Sequence, residues 1–256
     1  MSLSLQGKTA IVTGASRSRG IGAQIAYELA KRGANVTVTF TSQIGAESVD
    51  ELVNRIESLH NGAKVISVQA DLRQVDAPKG IVGETRSAFG DHIDILVNNA
   101  GCGLTKPLGE ISAEDFSYVF DLNVRAVTLM SNAVLPFLRA PGRIINIGSV
   151  GARSGLPGVS LYCSSKAAVE GLTRCFAAEL GPKGHTVNTV NPGPVETDIL
   201  DRIPKEIFEA QKQRTPVEHR LGNTDDIAQI VGFLAEESSR WITGQAISAS
   251  GGLEMY

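Results

Sequence analysis

The sequence predicts an α/β fold: a single doubly wound domain over residues 1–256, with a mostly parallel sheet and helices on both faces. Apolar runs of strand length alternate with segments of helical periodicity along most of the chain, which is typical of such a sheet. A glycine-rich turn connects the first strand to the first helix. With 256 residues, 42% of them apolar and 20% charged, the chain can bury one large core and is short for two ordinary domains.

The composition of the chain indicates which binding partners and which cellular compartment to expect. The formal net charge of −3, without any block of lysine or arginine, argues against nucleic acid or an anionic membrane as a partner. No transmembrane segment is visible, and residues 1–8 lack the charged and apolar regions of a signal peptide, so we expect a cytoplasmic protein. The three cysteines and four histidines show neither disulfide nor metal-ligand spacing, so we expect reduced thiols and no metal site.

The first strand and the first helix flank the glycine-rich turn. Residues 9–12 form a short apolar run, and the helix that follows has apolar residues at helical spacing until Gly33 ends it. Between them, Gly14 and the Gly20-Ile21-Gly22 stretch let a pyrophosphate approach backbone N–H groups at the helix N-terminus. Five residues, 15–19, separate the first two glycines, so this loop either contacts a dinucleotide or forms a surface bulge.

The remaining elements continue the alternation. A β-branched run at 36–40 predicts the second strand, and apolar residues on one helix face at 47–60 end at a His-Asn-Gly stop. Short apolar runs predict the later strands, and helical spacing predicts the helices between them. These strands are 64–69, 93–97, 144–149 and 186–190, and these helices are 81–89, 115–138, 161–180 and 226–234.

A hydroxyl, a phenol and an ammonium follow one another in the second half of the chain. A strand ends at Ser149, and the helical spacing of 161–180 places Tyr162 and Lys166 on one helix face. A free phenol has a pKa near ~10, and an ammonium four residues away favours the phenolate and lowers that pKa. If the phenol exchanges a proton with an oxygen atom of a substrate, Ser149 can hold that same oxygen by a hydrogen bond. The competing interpretation is a solvated helix face, where tyrosine and lysine often share this spacing.

Several motifs together resemble the short-chain dehydrogenase/reductase family. They are Ser149 with Tyr162-x-x-x-Lys166, Asn98-Asn99-Ala100-Gly101, Asn123, and Asn191-Pro192-Gly193. The match runs from about residue 7 to residue 252, and 241–252 resembles the family's last strand. The resemblance implies a Rossmann fold and a homo-oligomer, a tetramer or a dimer, assembled through the helices at 115–138 and 161–180 and through the last strand.

In that family, the residues of this pattern act on a carbonyl beside a nicotinamide. The resemblance implies that Tyr162 donates the proton, that Ser149 holds the carbonyl oxygen, and that Lys166 lowers the tyrosine pKa and binds the nicotinamide ribose. It also implies that Asn123 supports a water relay to the lysine. Asparagine inside a helix is unfavourable by propensity, which favours a functional reason for it.

The resemblance further implies a set of cofactor contacts. Asp71 would hydrogen-bond the adenine amino group, or would instead be a cap or turn carboxylate. The asparagines at 98 and 99 would contact a ligand, or would fasten neighbouring strand ends together. Thr197 would hold the carboxamide, with a plain proline-rich loop as the alternative. The predicted cofactor-binding residues are Gly14, Ser16, Arg17, Arg19, Gly20, Ile21, Gly22, Ser42, Asp71, Leu72, Asn98, Ala100, Gly101, Tyr162, Lys166, Pro192, Gly193, Val195 and Thr197.

The end of the second strand indicates the form of the nicotinamide cofactor. NAD-specific sites usually place an acid there to bind the ribose 2′-hydroxyl, and that acid repels a 2′-phosphate. Here Thr41, Ser42 and Gln43 occupy the region, and the glycine-rich loop carries Arg17 and Arg19. We therefore expect NADPH/NADP as the cofactor, with one of the two arginines on the phosphate, unless the long loop points both into solvent.

The resulting hypothesis is an NADPH-dependent carbonyl reductase that transfers hydride to a ketone, or oxidises an alcohol in reverse. Within the family the chain resembles 3-oxoacyl-carrier-protein reductases and fungal reductases of polyketide-derived aromatic ketones, and both substrate classes stay open. Apolar residues from about 199 to 208 predict a substrate lid within 194–220 that selects a hydrophobic small molecule. The alternative is a non-redox or catalytically retired member that binds NADP(H) as a scaffold or assists cyclisation or dehydration.

Overall fold

The computed structural model describes residues 3–41, 45–197 and 205–256, without the side chains of residues 205, 207 and 208. Seven strands and eight α-helices lie within this part of the chain. The strands are β1 (Thr9–Val12), β2 (Asn35–Phe40), β3 (Val65–Gln69), β4 (Ile93–Asn98), β5 (Leu138–Ile147), β6 (Thr186–Pro192) and β7 (Ala246–Ala249). The helices are α1 (Ile21–Lys31), α2 (Ala46–Glu57), α3 (Ala77–Phe89), α4 (Ala113–Phe120), α5 (Ala126–Val134), α6 (Ser160–Leu180), α7 (Lys205–Arg214) and α8 (Thr224–Ala235).

All seven strands form one sheet in the order β3-β2-β1-β4-β5-β6-β7. Each neighbouring pair in that order is parallel. The chain starts at β1, builds outward to β3, and then returns to β4 and builds outward in the other direction. This order confirms the doubly wound fold, and it leaves a crevice at the carboxyl ends of β1 and β4, where the direction of winding reverses.

The core lies on both faces of the sheet. Successive residues of one strand belong to different apolar clusters, because successive side chains of a strand point to opposite faces. In β4, Ile95 and Val97 pack with α1, α2 and α8, whereas Leu96 between them packs with α3, α5 and α6. The sheet is therefore covered by helices on both sides, as the alternation of elements predicts.

The long helix predicted at 115–138 is confirmed through Val134, with a π-helical turn in its middle, and is wrong over its last four residues. Helix α4 ends at Phe120, a π-helical turn covers Asp121–Arg125, and α5 ends at Val134. A 3₁₀ turn containing Pro136 follows, and Leu138 already belongs to β5. Proline disfavours helical geometry in the residue before it and provides no N–H for a helix, whereas the apolar spacing continues through the turn and masks this boundary.

Two differences concern the last quarter of the chain. The last strand is shorter than 241–252, because Gly244 has φ +72° in a turn before β7 and Trp241, at 96% exposed, lies outside the sheet. Helix α7 lies inside the region predicted as a lid, for which no helix was predicted from the sequence. Residues 198–204 of that lid are outside the described residues. Of the helices in the described ranges, none has the length and apolar character needed to cross a membrane.

Candidate active site

A cleft of about 580 Å³ lies at the carboxyl ends of the central strands. Its walls come from the segments that follow β1, β2, β4, β5 and β6, at the crevice that the topology creates. Most of the site residues predicted from the sequence line it. These are Gly14, Ser16, Arg17, Gly20, Ile21, Gly22, Leu72, Ala100, Gly101, Ser149, Tyr162, Lys166, Pro192, Gly193, Val195 and Thr197.

Two glycines before and within the first turn of α1 permit a close approach of the main chain. Gly14 has φ +72°, and a Cβ atom there would lie 2.7 Å from the Cα atom of Ala100. At Gly22 a Cβ atom would lie 2.6 Å from the Gly14 carbonyl oxygen. Only glycine fits at either position, and the main chain and the positive N-terminus of α1 face the cleft. This cradle fits the pyrophosphate of a dinucleotide.

The end of the cleft at β2 presents a guanidinium and hydroxyl groups. Arg17 and Thr41 line it, and the Thr39 hydroxyl accepts a hydrogen bond from the Gly14 backbone N at 3.1 Å. Within the described ranges, no carboxylate lines this end. Arg19 does not line the cleft, and Ser42 lies outside the described residues. The donors present suit a phosphate group better than a neutral ribose hydroxyl.

Asp71 is placed in a turn beside the cleft and does not line it. Its Oδ1 atom accepts a hydrogen bond from the Arg73 backbone N at 3.0 Å, and the Arg73 guanidinium lies 3.9 Å away. The geometry therefore matches the alternative of a turn carboxylate. The next residue, Leu72, does line the cleft, and so does Arg73, which the sequence reasoning did not include.

The two adjacent asparagines at the end of β4 have different roles. The Asn98 Nδ2 atom donates to the Oδ1 atom of Asn146 at 2.9 Å, so this buried side chain fastens β4 to β5 and does not line the cleft. Asn99 lines the cleft and donates to the carbonyl oxygens of Thr13 and Gly14, both at 2.9 Å. Asn99 was missing from the predicted site. Asn98 is the last residue of β4 and Asn99 is the first residue beyond it, so the two side chains point in different directions.

Ser149, Tyr162 and Lys166 meet on one wall of the cleft. Ser149 follows β5, and its Oγ atom accepts a hydrogen bond from the Gly151 backbone N at 3.0 Å. Tyr162 and Lys166 lie one turn apart in α6, with the lysine Nζ atom 5.9 Å from the centroid of the tyrosine ring. Lys166 is 5% exposed and donates to the carbonyl oxygen of Ile147 at 2.8 Å. The wall thus joins a hydroxyl, a phenol and an ammonium.

The electrostatics of this wall differ from the sequence expectation. Burial raises the pKa of Tyr162, and the hydrogen bond with the Ser149 hydroxyl opposes this only in part. Burial also lowers the pKa of Lys166 to about 8. The expected lowering of the tyrosine pKa by the lysine is not the dominant effect, because both groups are desolvated and the ammonium is bonded to a main-chain carbonyl. The phenol is therefore held in its protonated form.

Asn123 lies behind the cleft, in the π-helical turn between α4 and α5. It is 1% exposed, accepts from the Cys102 backbone N at 2.9 Å, and donates to the Cys102 carbonyl at 2.8 Å and to the Ser165 hydroxyl at 2.9 Å. It does not line the cleft. The side chain fixes the segment after β4 against α6, next to Lys166. Turns of this kind are frequent at functional sites.

The far wall of the cleft contains residues that the sequence reasoning missed. Leu156 follows β5, Gln211 and Arg214 belong to α7, and Leu253 and Glu254 follow β7. Arg214 and Glu254 face each other across 3.9 Å. No local pattern marks these residues, because segments distant in sequence meet here. The apolar side chains leave this end suited to a ligand with an apolar surface.

The chain is similar to a protein-family model and to several known proteins. A family model described as enoyl-(acyl carrier protein) reductase matches residues 14–254. The chain is 45% identical over 223 residues to the dehydrogenase OXI1 of Cochliobolus heterostrophus, covering 85% of this chain and 96% of that protein. It is 44% identical over 258 residues to the short-chain dehydrogenase/reductase FrzI of a Cladobotryum species, covering 98% and 97%. It is 40% identical over 262 residues to the hydroxynaphthalene reductase-like protein Arp2 of Metarhizium guizhouense, covering 97% and 96%.

Two similar solved structures contain a nicotinamide cofactor. A short chain dehydrogenase from Burkholderia cenocepacia in complex with NADP has a TM-score of 0.89 and 40% identity, covering 98% of this chain and 99% of that chain. A blue fluorescent protein from a metagenomic library in complex with NADPH has a TM-score of 0.89 and 37% identity, covering 98% and 100%.

Proposed function

The chain belongs to the short-chain dehydrogenase/reductase family, and on that premise we propose that it is an NADPH-dependent carbonyl reductase. One observation carries the proposal: Ser149, Tyr162 and Lys166 share a wall of a cleft that also contains a glycine cradle for a pyrophosphate. A scaffold or a retired enzyme does not require all three side chains together. The substrate is a ketone on a hydrophobic, acyl or polyketide-type molecule.

Each side chain of this wall has a part in the proposed reaction. The bound nicotinamide supplies the hydride. Tyr162, kept neutral by burial, donates its phenolic proton to the carbonyl oxygen as that oxygen gains negative charge. The Ser149 Oγ atom accepts from the Gly151 N–H, and its own proton, directed toward the Tyr162 phenol by their hydrogen bond, can bond the same substrate oxygen. The products are the secondary alcohol and a tyrosinate that must regain a proton.

Lys166 and Asn123 support that return of a proton. The Lys166 ammonium stays charged at neutral pH with a pKa of about 8, and it stabilises the tyrosinate after transfer. Asn123 holds the main chain at Cys102 beside the lysine and is proposed to order a water molecule for the relay. Lys166 is also proposed to bind the nicotinamide ribose, because it lines the cleft next to Tyr162.

NADPH is the proposed cofactor rather than NADH. Arg17 and Thr41 line the end of the cleft at β2, where the described residues contribute no carboxylate. A guanidinium forms strong charge-assisted bonds with a phosphate dianion. The two structural neighbours bound to NADP and NADPH support the same choice.

The far wall supports a substrate with substantial apolar surface. Leu156 and Leu253 line it, and α7 provides one side. The proposed lid at about 194–220 includes α7, and its apolar residues at 199, 200 and 203 fall outside the described ranges. The relative named as a hydroxynaphthalene reductase-like protein supports aromatic ketones over small polar ones.

Three free cysteines are consistent with the proposed cytoplasmic location.

The experiment is the oxidation of NADPH by the purified protein with a panel of ketones. Aryl ketones and long-chain 3-oxoacyl thioesters should each consume NADPH in a one-to-one ratio with the alcohol formed, and short hydroxy ketones and sugars should react poorly at equal concentration. If no ketone in the panel is reduced while NADPH still binds, the protein is a scaffold or a non-redox enzyme and the proposal is wrong. If small polar ketones react best, the apolar substrate class is wrong.

A further inference from the structure

Asn191, near the end of β6, lies directly under the strand end that carries Ser149. Its side chain is fully buried, and its Oδ1 atom accepts a hydrogen bond from the Ser149 backbone N at 3.1 Å. A Cβ atom at Gly148 would overlap that same Oδ1 atom, so only glycine can precede the serine here. The amide oxygen of Asn191 therefore contacts the main chain at Gly148 and Ser149, next to the Ser149 hydroxyl.

The other end of the Asn191 side chain has its orientation fixed. Its Nδ2 atom donates to the Oε1 atom of Glu170 and to the hydroxyl of Tyr256, both at 2.6 Å. Both hydrogens of the amide nitrogen thus have acceptors. A reversed amide would bring its oxygen against a carboxylate oxygen and would turn its nitrogen toward the Ser149 N–H. The two acceptors therefore determine that the oxygen faces Ser149.

These two acceptors are themselves held together. Glu170 is 6% exposed and accepts from the Arg153 Nε atom at 3.0 and 3.2 Å. The Arg153 guanidinium lies over the ring of Tyr256, 4.0 Å from its centroid. Leu253 and Glu254, in the same segment as Tyr256, line the cleft. The segment that forms the far wall of the cleft thus also reaches the support of Ser149.

We propose that Asn191 is a positioning residue for Ser149 and that Glu170 and Tyr256 hold it in place. The inference rests on the proposed function, because it assigns a role through a serine that binds the substrate oxygen. The Ser149 Oγ atom accepts a bond from the Gly151 backbone N, and the Ser149 backbone N donates to Asn191. Misplacement of a reacting group by about 1 Å can cost on the order of 100-fold in rate. Loss of the Asn191 bond should therefore lower turnover without altering the phosphate cradle.

The test is a set of double-mutant cycles with Ser149→Ala. Asn191→Leu removes all three bonds, and Tyr256→Phe removes one acceptor while keeping the ring over Arg153. Tyr256 is 46% exposed, so this second variant should fold even where Asn191→Leu does not. We expect kcat to fall about 10-fold or more for Asn191→Leu and a few-fold for Tyr256→Phe. The dissociation constant for NADPH should change less than about twofold.

In the Ser149→Ala background, neither substitution should lower kcat further, because the residue through which they act is gone. Asn188→Leu is the matched control: it removes a buried amide of the same strand, bonded to the 242–245 turn, and its effect should be additive with Ser149→Ala. Losses from Asn191→Leu and Tyr256→Phe that persist in full in the Ser149→Ala background would overturn the inference.

Amide hydrogen exchange tests the same bond without turnover. The Ser149 N–H should exchange faster in Asn191→Leu and in Tyr256→Phe than in the wild type, and it should be unchanged in Asn188→Leu at matched global stability. Unchanged protection in both variants would contradict the positioning role even for a protein that reduces no ketone. Failure of the ketone panel with altered protection would contradict only the proposed function.

Discussion

The ammonium of Lys166 donates a hydrogen bond to the carbonyl oxygen of Ile147, two residues before Ser149 in the chain, at 2.8 Å. The charge is thus tied to the same strand end that carries the hydroxyl. Burial is the main cause that lowers the pKa of this lysine to about 8. A buried cation with this pKa makes the stability of the protein depend on pH in the alkaline range.

The first prediction concerns that dependence. The unfolded lysine has a pKa near 10.5 and the folded one about 8, so between these values the unfolded chain binds more protons and stability rises with pH. Below pH 8 both states are protonated and the cost of burying the charge is fully present. Relative to Lys166→Met, the wild-type free energy of unfolding should rise by about 1 to 3 kcal/mol from pH 8 to 10.5. Urea unfolding of both proteins measures this, and a difference that stays flat or falls would contradict it.

The second prediction is the effect of Tyr162→Phe. The change removes only the transferred proton from a buried ring, so kcat should fall by roughly 10² to 10⁴ while NADPH binds nearly as in the wild type. Stopped-flow reduction and fluorescence titration separate the two quantities. Lys166→Ala is the comparison and should weaken both. A phenylalanine variant with most of its activity would refute the assignment of the proton donor.

The third prediction concerns the 2′-phosphate. Arg17 lines the cleft and Arg19 does not, so Arg17→Ala should reduce a preference for NADPH that we expect to be at least ~10-fold. Arg19→Ala is the matched control and should keep that preference. The ratio of kcat/KM values for NADPH and NADH reports the result. Equal use of both cofactors by the wild type, or a larger loss in the Arg19 variant, would exclude this role for Arg17.

The fourth prediction separates structure from ligand binding at Asn98. Asn98→Ala removes the donor to Asn146 and leaves a buried acceptor without it, which should cost about 1 to 3 kcal/mol of stability. The affinity for NADPH per folded molecule should stay the same, because this side chain does not line the cleft. Chemical unfolding and cofactor titration test the two statements. A variant of normal stability and weakened cofactor binding would show that the ligand interpretation was the better one.

The fifth prediction is a homo-oligomer, a tetramer or a dimer. On α4, Phe116 is 48% exposed and stacks on Phe120 with 4.1 Å between ring centroids, which leaves apolar surface near one of the helices expected at the interface. Sedimentation at micromolar concentration should show the oligomer, and Phe116→Asp should weaken it. Val75→Asp, at an exposed apolar residue after β3, is the control that should not. A monomeric wild type would refute the expectation.

The fold, and the wall that contains Ser149, Tyr162 and Lys166, could be predicted from sequence because they depend on local patterns. Helical spacing places Tyr162 and Lys166 on one face of α6, and Ser149, two residues after the end of β5, lies at the same edge of the sheet. The direction of the tyrosine pKa was not readable, because it depends on burial by segments far away in sequence. The spacing in the sequence predicts that Tyr162 and Lys166 lie close together. Their exposure to solvent, which determines the direction of the pKa shift, depends on how the rest of the chain packs around them.

Errors elsewhere have equally specific causes. Which of Asn98 and Asn99 lines the cleft depends on the direction of each side chain at the end of β4. The motif shows that two asparagines are present, but it does not show which of them faces the cleft. The helix predicted through residue 138 continued an apolar spacing across a proline turn. The wall formed by Leu253 and Glu254 has no local signal, because it arises where the chain returns to α7 after β7.

The pairing of β1 with β4 has a consequence for the growing chain. Ala10 lies beside Ile95, and the Thr13 hydroxyl accepts bonds from the backbone N atoms of Asn99 and Ala100. Synthesis proceeds from the N-terminus, so β1 has only β2 as a paired strand until residues near 100 have left the ribosome. Before that point the glycine cradle lacks the segment after β4 that forms the other side of the crevice. Cellular nucleotide can therefore stabilise the chain only after residues near 100 have emerged, once both sides of the crevice exist.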